Sequence, residues 1–276
     1  GLNPHRLTLT FGVSASFLKK MKLEQKRPQL FKDLPPFPKE QLREKYTGGD
    51  IVIQACADDE QVAFHAIRNL IRKGRNAVIL RWSQSGFAAI GDRLETPRNL
   101  FGFKDGTANV TKEKDFDRVV WADSKDWMEN GSYMAVRRIQ MFLDTWDRTN
   151  LEEQENTFGR YKESGAPFGK KNEFDEVDLS LLPDDSHVRL AKEVEKPLLR
   201  RSYSYSDGID DKTGQFDTGL LFISFQKDPD HFVKVQTNLG ATDKMNEYVT
   251  HIGSGLFACF GGVEKGGYIG QKLLED

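Results

Sequence analysis

IVIQACADDEQV, residues 51–62, runs from a β-rich segment through two aspartates into an amphipathic segment. The same order returns in LFISFQKDPDHF, residues 221–232. Asp58 and Asp228 are of the residue type that caps helix N-termini, and Pro229 stands where a first-turn proline belongs. The pattern therefore predicts a strand followed by a helix at both places.

The segments that follow extend the likeness between the two halves. AVILRW, residues 77–82, reads as a strand, and LFACF, residues 256–260, fills the equivalent place in the second copy. Two strand–helix–strand units predict two related α+β lobes. Between Asp58 and Gly74, apolar residues recur at helical spacing, namely Val62, Ala63, Ala66, Ile67, Leu70 and Ile71.

The second lobe is predicted to open with the strand SYMAVRRIQMFL, residues 132–143, followed by a helix through Trp146 and Leu151. Its next predicted strand is LRRSYSYS, residues 199–206. The first lobe shows no counterpart to the 132–143 strand. Because the chain also begins at Gly1 without a methionine, we expect an N-terminal strand region, and any export signal before it, to be missing.

The composition restricts the class of protein. The 276 residues are 38% hydrophobic and 30% charged, which is typical of a globular protein with an apolar core. A net charge of −2 gives no field that would attract nucleic acid, and no apolar run approaches the roughly 20 residues that span a bilayer. The cysteines Cys56 and Cys259 form no C-x-x-C pair, which argues against a structural zinc site.

Asp105 is a candidate catalytic residue in FGFKDGTANV, residues 101–110. Asp-Gly is a common turn pair, and its carboxylate can simply accept local backbone hydrogen bonds. In the other reading, the turn holds Asp105 over a reaction centre, where a carboxylate works as acid or base. The residues alone leave both readings open.

His187 is a candidate metal ligand in LPDDSHVRLAK, residues 182–192. Histidine is a common metal ligand but is more often structural. No second histidine or cysteine lies near it in the sequence to complete a zinc site. One histidine suffices for heme, because the porphyrin supplies the other four ligands.

Two further features of the sequence each allow two interpretations. Arg200 and Arg201 start a predicted strand, so only one of them points inward, where an arginine needs an anion or a polar pocket. The alternative is that both pair with surface acids. The charged connection of residues 157–185 is longer than usual and is either a functional loop or a solvated insertion.

Taken together, these segments resemble the dye-decolorizing (DyP-type) heme peroxidases. The likeness covers nearly the whole chain and is greatest for the deferrochelatase/peroxidase branch linked to iron uptake. The glycine-flanked Asp105 and the Ser-His-Val-Arg segment around His187 are specific as a pair. The segments, in chain order, are GGDIVIQACADDEQVAFHAIRNL (48–70), WSQSGF (82–87), NLFGFKDGTANV (99–110), DSHVRLA (185–191), LRRSYSYS (199–206) and TGLLFISFQKD (218–228).

The resemblance implies a dimeric α/β-barrel type of fold with two ferredoxin-like lobes, each an antiparallel sheet with helices. Residues 1–130 would form the first lobe with the distal loop, and residues 131–276 the second lobe with b-type heme. The family's opening strand would lie upstream of Gly1.

The resemblance also assigns the site. His187 would be the proximal iron ligand, Asp105 the distal acid–base residue and Arg200 the distal cation. Gly106, Thr107 and Ala108 would follow the heme edge, because glycine lets the backbone approach a flat macrocycle. In place of the family's Asn-Pro-Arg segment this chain has Lys192, Glu193 and Val194, so Lys192 or Arg189 is expected to supply the charge that holds the heme propionates.

The function implied is a heme peroxidase that reduces hydrogen peroxide and oxidises dyes or other bulky reductants, with a link to iron uptake. The alternative is a deferrochelatase that releases iron from heme and leaves the porphyrin intact. Candidates for relaying electrons from bulky reductants, with core packing as the other reading for most, are Trp82, Trp121, Trp127, Trp146, Tyr203 and Tyr205.

Partners and location are also implied by the resemblance. The expected partners are hydrogen peroxide, a reductant, other iron-uptake components, a second copy of the chain and a separate N-terminal fragment. Neither nucleic acid nor a transmembrane segment is expected. Export to the periplasm or cell surface through a twin-arginine signal is expected.

Overall fold

The computed structural model describes residues 3–88, 95–211 and 213–275, which hold seven strands and eight α-helices. The strands are β1 Thr8–Val13, β2 Ile51–Cys56, β3 Ser132–Met141, β4 Leu199–Arg200, β5 Tyr203–Ile209, β6 Phe216–Gln226 and β7 Val249–Cys259. The α-helices are α1 Ala15–Lys20, α2 Glu60–Gly74, α3 Phe116–Val119, α4 Leu143–Asp147, α5 Leu151–Phe158, α6 His187–Glu193, α7 Pro229–Thr242 and α8 Gln271–Glu275. Short 3₁₀ turns cover Glu24–Lys26, Glu44–Tyr46, Glu113–Asp115, Leu179–Leu181 and Lys244–Glu247. Among these helices, none is long and apolar enough to cross a bilayer.

All described strands join one antiparallel sheet in the order β2-β1-β7-β3-β6-β4, with β5 also paired to β6. Strand β3 is central, since Met134 lies opposite Phe225 of β6 on one side and Phe257 of β7 on the other. Nearly every residue of β3 is buried, which explains its continuous rather than alternating apolar pattern.

The second half has the strand order of a ferredoxin-like lobe, β7-β3-β6-β5, with α7 connecting β6 to β7. The first half shares the α+β character but is less complete. Strand β2 precedes α2 as β6 precedes α7, and β1 pairs with β2 as β5 pairs with β6. The predicted absence of a counterpart to β3 in the first half is thus confirmed for the described residues.

The predicted strand at residues 77–82 does not form. Residue 77 lies in a turn, residues 78–82 form no strand, and Ile79 is 92% exposed. In the second half the equivalent strand β7 pairs with β3, whereas no strand of the described first half stands in that place. A β-prone segment without a neighbour for its N–H and C=O groups gains no ladder.

Of the two predicted helix N-caps, one is confirmed and the other is wrong. Asp228 caps α7, with Pro229 in the first turn, as predicted. For α2 the cap is Asp59, whose carboxylate accepts hydrogen bonds from the amides of Gln61 and Val62. Asp58 instead forms an ion pair with Arg6, with Nε 2.5 Å from the carboxylate. Either of the two adjacent aspartates could cap the helix. Because Asp58 is engaged by Arg6, Asp59 is the cap.

Two predicted elements are interrupted. The predicted helix through Trp146 and Leu151 is two helices, α4 and α5, because Asn150 starts a new helix by accepting a hydrogen bond from the amide of Glu153. The predicted strand of residues 199–206 is likewise divided between β4 and β5.

Candidate functional site

Asp105 lies in a tight turn whose backbone is fixed on both sides. Its amide donates to the carbonyl oxygen of Pro97 at 2.8 Å, and the amide of Asn109 donates to the carbonyl oxygen of Gly106 at 2.9 Å. Gly106 has φ +129°, a conformation that side-chain-bearing residues rarely adopt. The turn therefore fixes the backbone at Asp105.

Asp105 meets Arg200 across the two halves of the chain. The Nη1 of Arg200 donates to Oδ1 of Asp105 at 3.0 Å, and both side chains stay partly exposed, at 31% and 26%. Asn109 holds the backbone of Arg200, because its Oδ1 accepts from the Arg200 amide at 2.9 Å and its Nδ2 donates to the Arg200 carbonyl at 2.8 Å. Asn109 is thus a site residue that the sequence reasoning did not single out.

Arg201 turns away from this contact. Its guanidinium is next to the Tyr203 phenol and the Cys56 thiol. The prediction that the two arginines face opposite ways is confirmed, and Arg200 is the one that meets Asp105.

His187 is the first residue of α6 and is oriented by Asp243. Its Nδ1 lies 2.7 Å from Oδ2 of Asp243, whose side chain is only 3% exposed. The other oxygen of Asp243 accepts from the Met245 amide at 2.8 Å. Burial opposes the protonation of His187, but the Asp243 carboxylate outweighs it, so the pKa of His187 is raised. Asp243 is 56 residues away in the chain, and no local pattern pointed to it.

The three predicted residues share one electrostatic environment. The Arg200 cation lowers the pKa of His187 and the Asp105 carboxylate raises it, in addition to the effect of Asp243. Asp105 and Arg200 therefore form an acid–cation pair within electrostatic reach of an oriented imidazole. Such a set can bind a polar ligand, move a proton and stabilise a developing negative charge.

Other histidines have different surroundings. His65 lies on α2 and is exposed. Burial, the Arg137 cation and His187 lower the pKa of His251 to about 3, so this imidazole stays neutral. Burial also lowers the pKa of His231. Among the described histidines, only His187 lies within ion-pair distance of a carboxylate.

The two candidates for holding propionates differ in their contacts. Arg189 donates to the carbonyl oxygens of Leu179 and Leu182, and it pairs with Asp184 and Glu193. Lys192 is exposed and lines a cavity of about 250 Å³ together with Thr107 and Ala108. Of the two, Lys192 is the one that borders the expected heme-edge residues.

The candidate electron-relay residues differ in their burial and in their contacts. Trp146 is 1% exposed and donates to the Phe101 carbonyl, as core packing requires. Tyr205 is fully buried with the Arg138 guanidinium 4.1 Å from its ring centroid, and burial raises its pKa. Burial outweighs the lowering effect of the Arg138 cation, so the Tyr205 phenol holds its proton, which disfavours its oxidation. Tyr203, whose hydroxyl lies 3.2 Å from Cys56 Sγ, has a polar neighbour, and Trp121 is 41% exposed.

Two family models cover most of the chain. The N-terminal model of the Dyp-type peroxidases matches residues 1–88, and the C-terminal model matches residues 96–264. The chain belongs to the Dyp-type peroxidase family. It is accordingly a peroxidase with heme as its cofactor, and its α+β fold is the ferredoxin-like fold of that family.

Individual relatives agree with the family models. The dye-decolorizing peroxidase of Thermobifida fusca (strain YX) is 39% identical over 298 residues, which cover 100% of this chain and 69% of the relative. A deferrochelatase of Escherichia coli (strain K12) is 40% identical over 98% of this chain and 69% of its own length. The structure of ferric DtpA from Streptomyces lividans has a TM-score of 0.93 at 39% identity, over 98% of this chain and 78% of that one.

The residues present fit a heme. With Nδ1 of His187 taken by Asp243, Nε2 is the nitrogen left for iron, and a carboxylate partner of this kind fixes the tautomer of a ligating imidazole. Gly106 carries no Cβ at the turn that would face the macrocycle. Lys192 offers a cation beside Thr107 and Ala108.

Proposed function

We propose that this peroxidase activates hydrogen peroxide with Asp105 and Arg200, while His187 would hold the heme iron. When bound, heme supplies the iron and the redox capacity of the reaction. The observation that carries the assignment is the 3.0 Å contact between Arg200 and Asp105 within electrostatic reach of the Asp243-oriented His187.

In this proposal Asp105 moves one proton between the two oxygens of the peroxide. Its carboxylate would accept a proton from one peroxide oxygen and return it to the other, which would leave as water, while the heme, when bound, would supply the two electrons and keep the remaining oxygen. Arg200 stabilises the negative charge that develops as the O–O bond breaks. Gly106, Thr107, Ala108 and Lys192 hold the heme edge, while Arg189 mainly fixes the turn before α6.

His187→Ala tests the proximal assignment. The variant should lose most of its heme, measured as the heme-to-protein ratio after reconstitution, because no other imidazole has the same orientation and partner. His65→Ala, on the exposed face of α2, is the matched control and should keep its heme. Full heme content in His187→Ala, or its loss in a His251→Ala variant alone, would show that the ligand is another residue.

A second candidate function follows from the relatives named deferrochelatase, at 40% identity. It is the release of iron from heme with the porphyrin left intact, in a pathway of iron uptake. Incubation of the protein with heme and a reductant should then yield the fluorescence of metal-free porphyrin. A peroxidase without this second activity would give dye oxidation and no such fluorescence.

We also propose that the protein is exported to the periplasm or cell surface, as its resemblance to the iron-uptake branch of the family implies. Fractionation of the producing cells with an antibody to the chain tests this location. Recovery of the protein in the cytoplasmic fraction alone would contradict export.

Among the described strands β2 lies at an edge of the sheet. This edge supports a further partner, a polypeptide segment that adds one strand between β2 and residues 77–82. In the second half the corresponding place is filled by β3. The segment belongs either to the same protein upstream of Gly1 or to a separate fragment. Extending the chain with its native upstream sequence should protect the β2 amides from hydrogen exchange, and unchanged exchange would argue against this partner. A homo-oligomer is the competing occupant, and sedimentation would reveal it.

A further inference from the structure

Glu173 connects the long 157–185 segment to the turn that carries Asp105. Its carboxylate accepts from Lys104 Nζ at 2.7 Å through one oxygen and from Thr107 Oγ1 at 2.7 Å through the other. Lys104 immediately precedes Asp105, and Thr107 follows it by two positions. One carboxylate thus ties the chain on both sides of the proposed acid–base residue.

Glu173 is held charged in a buried position. It is only 8% exposed, and burial tends to raise its pKa. Hydrogen bonds from Lys104, Thr96 and Thr107 outweigh that effect and lower the pKa below its ordinary value. Burial of a carboxylate is costly unless it is fully paired, so the three donors and Glu173 depend on one another.

The backbone around Glu173 has its own anchor. Arg160, itself 8% exposed, donates through Nη1 to the carbonyl oxygens of Glu173 at 2.9 Å and Gly165 at 2.6 Å. Gly165 has φ +74°, and a Cβ there would lie 2.7 Å from Cδ of Lys104. The 157–185 segment is therefore packed closely against Lys104.

We propose that Glu173 is a positioning residue that holds Asp105 in its working direction. The inference rests on the proposed function of Asp105. It also assigns a role to the 157–185 segment, which packs against the Asp105 turn and stabilises it and is not a solvated insertion. Loss of the Glu173 charge would loosen Lys104 and Thr107 and leave the Asp105 carboxylate free to move by a fraction of an ångström or more.

The test is a double-mutant cycle between Glu173→Gln and Asp105→Asn, measured as the rate of reaction with hydrogen peroxide in stopped-flow absorbance. Glutamine keeps the shape and one acceptor but loses the charge that faces Lys104. Since a misplacement of about 1 Å can cost on the order of 10²-fold, we expect Glu173→Gln to slow the reaction by about 10–100-fold. The kcat/KM for the reductant should be unchanged, because the reductant reacts in a later step.

In the Asp105→Asn background, Glu173→Gln should cause no further loss, because the group that it positions is already inactive. An equal loss in both backgrounds, or no loss in the wild-type background, would overturn the inference. A wild-type rate in Asp105→Asn alone would instead overturn the proposed function. Glu163→Gln, an exposed acid of the same segment, is the matched control and should leave the rate unchanged.

Thr107→Val replaces Glu173→Gln in the double-mutant cycle if the Glu173→Gln variant binds heme poorly. It removes one of the two tethers with little change in volume and leaves the Lys104–Glu173 pair in place. A loss that appears with Asp105 present and vanishes in Asp105→Asn supports the positioning role. Loss of the same size in both backgrounds contradicts it.

Discussion

At the residue scale, the proposed role of Asp105 depends on proton transfer rather than on its contact with Arg200. Asp105→Asn keeps an oxygen for the 3.0 Å contact from Arg200 but cannot take up a proton. Its reaction with peroxide should be slower by about 10²–10⁴-fold, the usual effect of losing an acid–base group. Stopped-flow mixing across pH measures it, with the exposed Asp117→Asn as control. A wild-type rate at every pH would leave Asp105 as a turn residue.

Arg200 and Arg201 provide a matched pair of substitutions. Arg200→Leu removes the cation beside Asp105 and should slow the reaction with peroxide by about 10²–10³-fold, as when a preorganised donor is lost. Asn109 still holds the backbone, so the turn should persist. Arg201→Leu removes a guanidinium that faces Tyr203 and Cys56, and it should leave this rate near that of the wild type. The reverse order of effects would mean that the wrong arginine was assigned.

Sequence reasoning singled out the proposed catalytic and heme-binding residues but not the residues that hold them. Asp105, His187 and Arg200 stand in segments with a recognisable pattern. Their supports, Asn109 and Asp243, act through contacts 91 and 56 residues away in the chain, and polar residues of this kind occur in many ordinary turns. Only the folded structure brings these partners together.

At the element scale, local propensity predicted strands correctly where a neighbour exists and incorrectly at residues 77–82. The α2 helix shows the same dependence on neighbours. It has the amphipathic pattern predicted from its sequence, yet none of its residues is fully buried, whereas α7 buries Pro229, Phe232, Gln236 and Gly240. The pattern specifies a face to be covered but not the element that covers it.

Amide hydrogen exchange should distinguish the equivalent strands β2 and β6. Strand β6 has neighbours on both sides, while β2 pairs with β1 on one side of the described sheet. Amides of β2 that point away from β1 should exchange at nearly the rate of unprotected amides. Those of β6 should exchange only through larger opening events. Equal protection of both strands in this chain would show that the free side of β2 is already covered, for example by a second copy.

At the scale of the whole molecule, the site requires both halves of the chain. Asp105 comes from the first half, and Arg200 and His187 come from the second. The sheet also crosses the predicted boundary between residues 130 and 131, because Gly12 and Val13 of β1 pair with Cys259 and Ala258 of β7. We therefore expect residues 1–130 and 131–276, prepared separately, to lack peroxidase activity, which a dye-oxidation assay on each piece and on their mixture would measure.

The packing of the 157–185 segment should make stability depend on pH through Glu173. Because the folded-state pKa of Glu173 lies below its ordinary value of 4.5, its charge stabilises the fold above about that pH. The contribution is lost as the pH falls through the lowered folded-state value. Glu173→Gln should therefore reduce the free energy of unfolding by about 1–3 kcal/mol at neutral pH, the usual cost of disturbing a buried hydrogen-bonded charge. The difference from wild type should shrink towards zero in acid, where Glu173 is also neutral.

Denaturant unfolding at several pH values measures this difference in the free energy of unfolding. The control Glu163→Gln should show no pH-dependent difference from wild type. A difference that stays constant down to strong acid would mean that packing, rather than charge, sets the contribution of Glu173.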